Sequence, residues 1–137
     1  MNDALFLIEE AVLKKLLVGN LPLLVQLQQQ LEVCSVAKRE FTGVGFYTTL
    51  VVPESIRKTA GIDFKFGDVI GEIAGLHNGA GFLLYVKDGI LDMLEGYSYN
   101  ESWPPSVNDF NLKYMKGEER DWVALEKTLQ IKPVQVG

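Results

Sequence analysis

The chain has 137 residues, 47% of them hydrophobic and 23% charged, with a formal net charge of −5. That balance fits a single domain over 1–137 that can bury a core without a staple. The lone Cys34 and lone His77 exclude an internal disulfide and a Cys/His zinc cluster, and scattered basic residues in an acidic chain argue against a nucleic-acid partner.

No apolar run reaches the roughly 18 residues that span a bilayer, because Glu9, Glu10, Lys14 and Lys15 interrupt the longest one. The chain opens on Asn2 and Asp3 without a basic signal region. A cytoplasmic protein with no membrane partner is the expectation.

Residues 4–17 place Leu5, Ile8, Val12 and Leu16 at spacings of three and four, with Leu13 and Leu17 beside them. This predicts an amphipathic helix whose polar side carries Glu9, Glu10, Lys14 and Lys15. Asn2 or Asp3 suits its N-cap, and Gly19 suits its end. Asn20 then caps a second helix with Pro22 in its first turn. Leu24, Leu27, Leu31 and Cys34 form its packed face, and Gln26, Gln28, Gln29 and Gln30 its wet one. The two make an αα-hairpin, and Cys34 reads as a small apolar filler.

Alternation from Val44 through Val52 predicts a strand ended by Pro53. Runs at Val69–Leu76, Phe82–Lys87 and Ile90–Tyr97 are separated by Asn78-Gly79 and Asp88-Gly89, both signals for two-residue type I′ turns. Those turns would set Ile73, Phe82, Leu84, Val86, Leu91 and Met93 on a core face. The opposite face would align Glu72, Tyr85 and Asp92 across three strands. Two carboxylates beside a tyrosine can do acid–base work or hold a hard cation, or simply form a solvated sheet face. The same register puts Glu95 on the core side, with Arg39 or Lys38 available as its partner, and leaves Leu83 and Leu94 outside as a face on which two copies can meet.

Two connections are long. Residues 53–68 carry Arg57, Lys58 and Lys65 among Ile56, Phe64 and Phe66. Residues 98–109, reading SYNESWPPSVND, hold Tyr99, Trp103 and two prolines next to Tyr97. Rigid aromatics suit a protein-binding surface, and Trp103 can equally fold back as a lid on the sheet end. Phe110, Leu112 and Tyr114 alternate like a further strand. Residues Asp121–Leu129 read as a short helix, and the residues through Pro133 and Gly137 as a loose tail. The expected fold is therefore α+β, two N-terminal helices on an antiparallel meander of about four or five strands, with a short C-terminal helix.

The chain contains no G-x-S-x-G elbow, Walker loop, H-E-x-x-H or C-x-x-C, and no residue is assigned as catalytic or metal-binding. The strings REFTGVGFYT, starting at Arg39, and DGILDMLEGYSYNESWP (Asp88–Pro104) resemble a pattern in short bacterial proteins of uncharacterised function. The resemblance covers the meander and aromatic loop and implies no activity or site residue. By analogy, small acidic proteins of this kind serve as immunity or antitoxin partners. Two functions fit the residues. One is a non-enzymatic module binding a protein, a basic one by charge, through Tyr97, Tyr99 and Trp103. The other is a small-molecule-binding or hydrolytic enzyme using Glu72, Tyr85, Asp92 and Glu95, with no cofactor.

Overall fold

The computed structural model describes residues 3–56 and 63–134, with side chains through Leu129. Asn2, Arg57, Lys58 and residues 135–137 lie outside the described residues. Leu7–Leu16 form α1 and Pro22–Val33 form α2. The backbone N–H of Phe6 precedes α1 and donates to Glu9 Oε1 at 2.7 Å, so a side chain in the first turn reaches back to the cap. Asp3 is not a cap. Its backbone pairs with Val36, N–H to O at 2.8 Å and the reverse at 2.7 Å. Gly19 has φ 137° at the end of the α1 turn, and Leu21 rather than Asn20 precedes α2.

Of the glutamines of α2 expected on a wet face, Gln29 is exposed, but Gln28 and Gln30 are not. Gln28 Nε2 donates to Gly19 O at 2.8 Å and to Leu17 O at 2.5 Å, closing the helical hairpin. Gln30 is buried, donates to Gly89 O at 2.9 Å and accepts from Leu91 N–H at 2.9 Å. Both serve backbone groups that burial would otherwise leave unpaired.

Seven strands follow: β1 (Ser35–Phe41), β2 (Gly45–Val51), β3 (Phe64–Phe66), β4 (Val69–Ile73), β5 (Ala80–Lys87), β6 (Ile90–Ser98) and β7 (Phe110–Tyr114). All pair antiparallel in the order β1-β2-β6-β5-β4-β7, with β3 also on β5. The expected four or five strands were short by β1 and β3. A third helix, α3 (Trp122–Val134), continues past Leu129 through Pro133. The architecture is α+β, with α1 and α2 packed on one face of the sheet and α3 against β3. Leu13, Leu16, Leu24 and Leu27 meet Phe82, Leu84, Leu91 and Leu94 in the core between the layers. No helix among the described residues is long and apolar enough to cross a membrane.

Two departures in register decide what faces outward. Asp88 (φ 54°) and Gly89 (φ 74°) form the expected tight turn, and Val86 pairs with Leu91 as the spacing predicts. Past that point a bulge leaves Asp92 unpaired. Tyr85 then lies opposite Met93, Leu84 opposite Leu94 and Leu83 opposite Glu95. One extra residue reverses every later side chain. Leu94 is consequently in the core, Met93 is not, and Glu95 stands outside. A dimer face built on Leu83 with Leu94 is therefore not available.

The Asn78-Gly79 turn does not form the expected hairpin, since Gly79 alone has positive φ there. On one edge β4 pairs β5 at Ile70 with Gly81 and Gly71 with Ala80, and on its other edge it pairs β7 along its whole length, from Val69 with Tyr114 to Ile73 with Phe110.

Candidate functional site

The face of the sheet away from the helices carries three cross-strand rows. Thr49, Met93, Tyr85 and Lys65 make one; Tyr47, Glu95 and Leu83 the next; Gly45, Tyr97 and Gly81 the third. Tyr85 Oη donates to Glu95 Oε1 at 3.0 Å, and the Tyr47 hydroxyl also bonds Glu95. Tyr97 lies over Gly81, where a Cβ would collide with its ring. The Tyr99 ring meets Tyr97 edge-on at 5.8 Å. Tyr47, Leu83, Tyr85, Met93, Glu95 and Tyr97 are all half-buried although the helices pack on the other side.

The chemistry of this cluster is that of a fixed surface. Burial, then the Glu95 hydrogen bond and charge, push the Tyr85 phenol up to about 12. The Glu95 charge and its hydrogen bond raise Tyr47, and burial followed by Tyr99 and Glu95 raises Tyr97. Each shift moves a phenol further from neutral pH, the wrong direction for a general base.

The expected row of Glu72, Tyr85 and Asp92 does not form on this face; Tyr85 meets instead Glu95, the residue expected on the core side. Glu72 accepts from Asn111 Nδ2 at 3.3 Å beside β7, and Asp92 is exposed in the bulge. Neither Arg39 nor Lys38 reaches Glu95: Arg39 pairs with Glu9, and Lys38 with Glu40 at 4.0 Å. Among the described residues no group of His, Cys, Asp or Glu is placed to hold a metal ion.

The aromatic loop divides around the sheet end. Trp103 N–H donates to Gly43 O at 2.8 Å, and its ring stands edge-on to Phe46 at 5.3 Å. Phe46 lies on Gly96 on the core side, so Trp103 is on the helix side while Tyr97 and Tyr99 face outward. These three aromatics are not one surface. Glu101 pins the loop, its carboxylate accepting from the N–H groups of His77 at 2.7 Å and Asn78 at 2.8 Å. Those two bonds hold its carboxyl below the ordinary value.

On the helix side, Trp103 walls a cavity of about 190 Å³ between the start of α1, β1, β2 and the loop, together with Phe6, Arg39, Phe41, Phe46 and Pro104. Its floor includes an ion pair not anticipated from the sequence. Glu9 Oε1 accepts from Phe6 N–H at 2.7 Å and Arg39 Nη2 at 2.7 Å; Oε2 accepts from Arg39 Nε at 2.9 Å and Thr48 Oγ1 at 2.6 Å. A signal for it was present: Glu9 lies four residues from both Leu5 and Leu13, inside the apolar stripe rather than opposite it. His77 is exposed. Cys34 is half-buried, and burial with the nearby Glu9 and Glu10 charges pushes its thiol up to about 11, which suits a filler and not a nucleophile.

Comparison with protein-family models, curated proteins and solved structures finds no match for the chain.

Proposed function

We propose that this protein is a non-enzymatic binding module whose partner is another protein, docked on the uncovered face of the sheet. The observation that carries the reading is the Tyr47–Glu95–Tyr85 cluster set among Leu83, Met93 and Tyr97. Tyrosines locked by a shared carboxylate offer contact area whose ordering cost is already met in the free protein. The carboxylates nearest to a chemical role are occupied: Glu95 by two phenols, Glu9 by Arg39 and Thr48, Glu101 by two backbone amides. The net charge of −5 favours a basic partner, whose approach it accelerates at low salt. A small acidic module of this kind suits an immunity- or antitoxin-like role.

The test compares wild type with Tyr85→Ala/Met93→Ala as baits in lysate of the source cell, after circular dichroism shows both folded. A near-stoichiometric protein held by wild type, lost by the variant and bound more slowly at high salt supports the proposal. Equal capture by both baits removes this face from it. Self-association of the free wild type in sedimentation, abolished by the variant, replaces the partner with a second copy.

A further inference from the structure

The geometry points to a small-molecule site in the helix-side cavity, selective for a flat apolar ligand carrying one neutral hydrogen-bond acceptor. The cavity holds about 190 Å³, and apolar cavities of about 150 Å³ stay dry and accept benzene. One aromatic ring with a short substituent fits that space. The walls are fixed before any ligand arrives. Trp103 is tied to Gly43 by its N–H and to Phe46 by its ring. The Arg39 guanidinium lies 3.4 Å above the Phe6 ring. Pro104 and Pro105 restrict the backbone behind Trp103. Pre-formed aromatic walls with few polar groups are the usual make-up of a ligand pocket.

The polar side of the cavity sets the ligand's chemistry. Of the residues lining it, Glu9 and Arg39 carry charge. Each Glu9 oxygen already accepts two hydrogen bonds, so it has nothing left to offer a ligand. Arg39 uses Nε on Glu9 and Nη2 on Glu9 and the Ala4 carbonyl at 2.9 Å. Its Nη1 makes no hydrogen bond among the described residues, and a guanidinium can only donate. Nη1 is thus the guanidinium donor left for a ligand, its positive charge neutralised by Glu9, and Ser106 and Asn108 are the neutral polar residues of the lining. A ketone, ester or amide oxygen suits that donor. A carboxylate ligand would add a second negative charge beside Glu9 without a free cation to balance it.

The test follows the Trp103 indole N–H in nitrogen-15 spectra of the intact chain. Trp103 and Trp122 are its two tryptophans, so Trp122→Phe assigns the signal. The probes are acetophenone, ethylbenzene and benzoate. Acetophenone should shift the Trp103 signal saturably and bind about tenfold tighter than ethylbenzene, the worth of one hydrogen bond to a charged donor. Benzoate should bind more weakly than acetophenone. Phe41→Ala removes an exposed wall ring and should weaken acetophenone about fivefold with an unchanged melting temperature. A Trp103 signal that never saturates overturns the site, as does unchanged affinity in folded Phe41→Ala. Equal affinity for acetophenone and ethylbenzene, or tighter benzoate, overturns the assigned ligand chemistry.

Discussion

Arg39 on β1 grips both oxygens of Glu9 in the first turn of α1, Nε to Oε2 at 2.9 Å and Nη2 to Oε1 at 2.7 Å, across thirty residues of chain. Glu9 is 1% exposed and Arg39 12%. The pair fastens the start of the helical layer to the strand at the sheet's edge. Burial alone would raise the Glu9 carboxyl. Hydrogen bonds from Arg39, Thr48 and Phe6, with the Arg39 charge, outweigh it and hold the group below its ordinary value.

Such a pair adds modest net stability but is costly to break, because one charge stays buried without the other. Arg39→Met should destabilise the fold by about 3–5 kcal/mol in denaturant titration. The pH dependence follows from the lowered carboxyl. Its stabilisation is complete above the ordinary value of 4.5 and is lost as pH falls through the lower folded-state value. Wild type should lose stability across that acid window, and Glu9→Gln should show a shallower loss there. Parallel acid limbs for the two would contradict this account.

The bulge at Asp92 gives a second prediction. Deleting Asp92 would remove the extra residue and leave Met93 opposite Tyr85, Leu94 opposite Leu84 and Glu95 opposite Leu83, so each side chain keeps its face in an uninterrupted ladder. The deletion should retain a cooperative thermal transition. Asp92→Ala keeps the extra residue and removes only an exposed side chain, so its stability should stay within about 0.5 kcal/mol of wild type. A deletion variant that loses its cooperative transition would show that the bend and twist of the bulge are themselves required by the sheet.

Periodicity made α1, α2, β2, β4, β5, β6 and β7 legible, because their buried residues recur at the helical or strand spacing. β1 was hidden, since an edge strand whose exposed positions include Lys38, Glu40 and Phe41 carries little alternation. β3 is three residues long. The bulge was invisible because Asp92 has no local feature that marks an unpaired residue, and that single omission misplaced Met93, Leu94 and Glu95. Asn78-Gly79 is a genuine turn signal, overridden where Glu101 takes the His77 and Asn78 N–H groups. The Glu9 partner could not be read at all, as nothing local to α1 points to Arg39.

Arg120 is a second buried anchor. Its Nε and Nη2 hold the Asp68 oxygens at 2.6 and 3.0 Å, Nη1 donates to Val18 O at 2.8 Å, and Nη2 also bonds Leu16 O. One planar fork therefore joins the end of α1 to the β3–β4 connection, where a lysine supplies fewer fixed donors. Arg120→Lys should cost about 2–3 kcal/mol by leaving buried acceptors unpaired. Lys116→Ala, an exposed control, should change stability by less than about 0.5 kcal/mol. Calorimetry of the two variants checks the contrast; equal, small effects would mean that water replaces the guanidinium.

The tyrosine face can be tested without any partner. Tyr85 is pushed up to about 12 by burial first, then by the Glu95 hydrogen bond and charge. A phenol whose folded-state value is raised stabilises the fold fully below its ordinary value of 10.0, and that contribution is lost as pH climbs through the folded value. Glu95→Gln removes the two carboxylate contributions and leaves burial in place. Tyr85 should then ionise earlier than in wild type yet still above its ordinary value, and Tyr47, raised mainly by the Glu95 charge, should move down as well. Phenolate difference absorbance, with Tyr85→Phe and Tyr47→Phe to assign the steps, reads both shifts. Identical titration curves for wild type and Glu95→Gln would mean that the carboxylate does not organise this face, and the rigid surface required for docking would lose its basis.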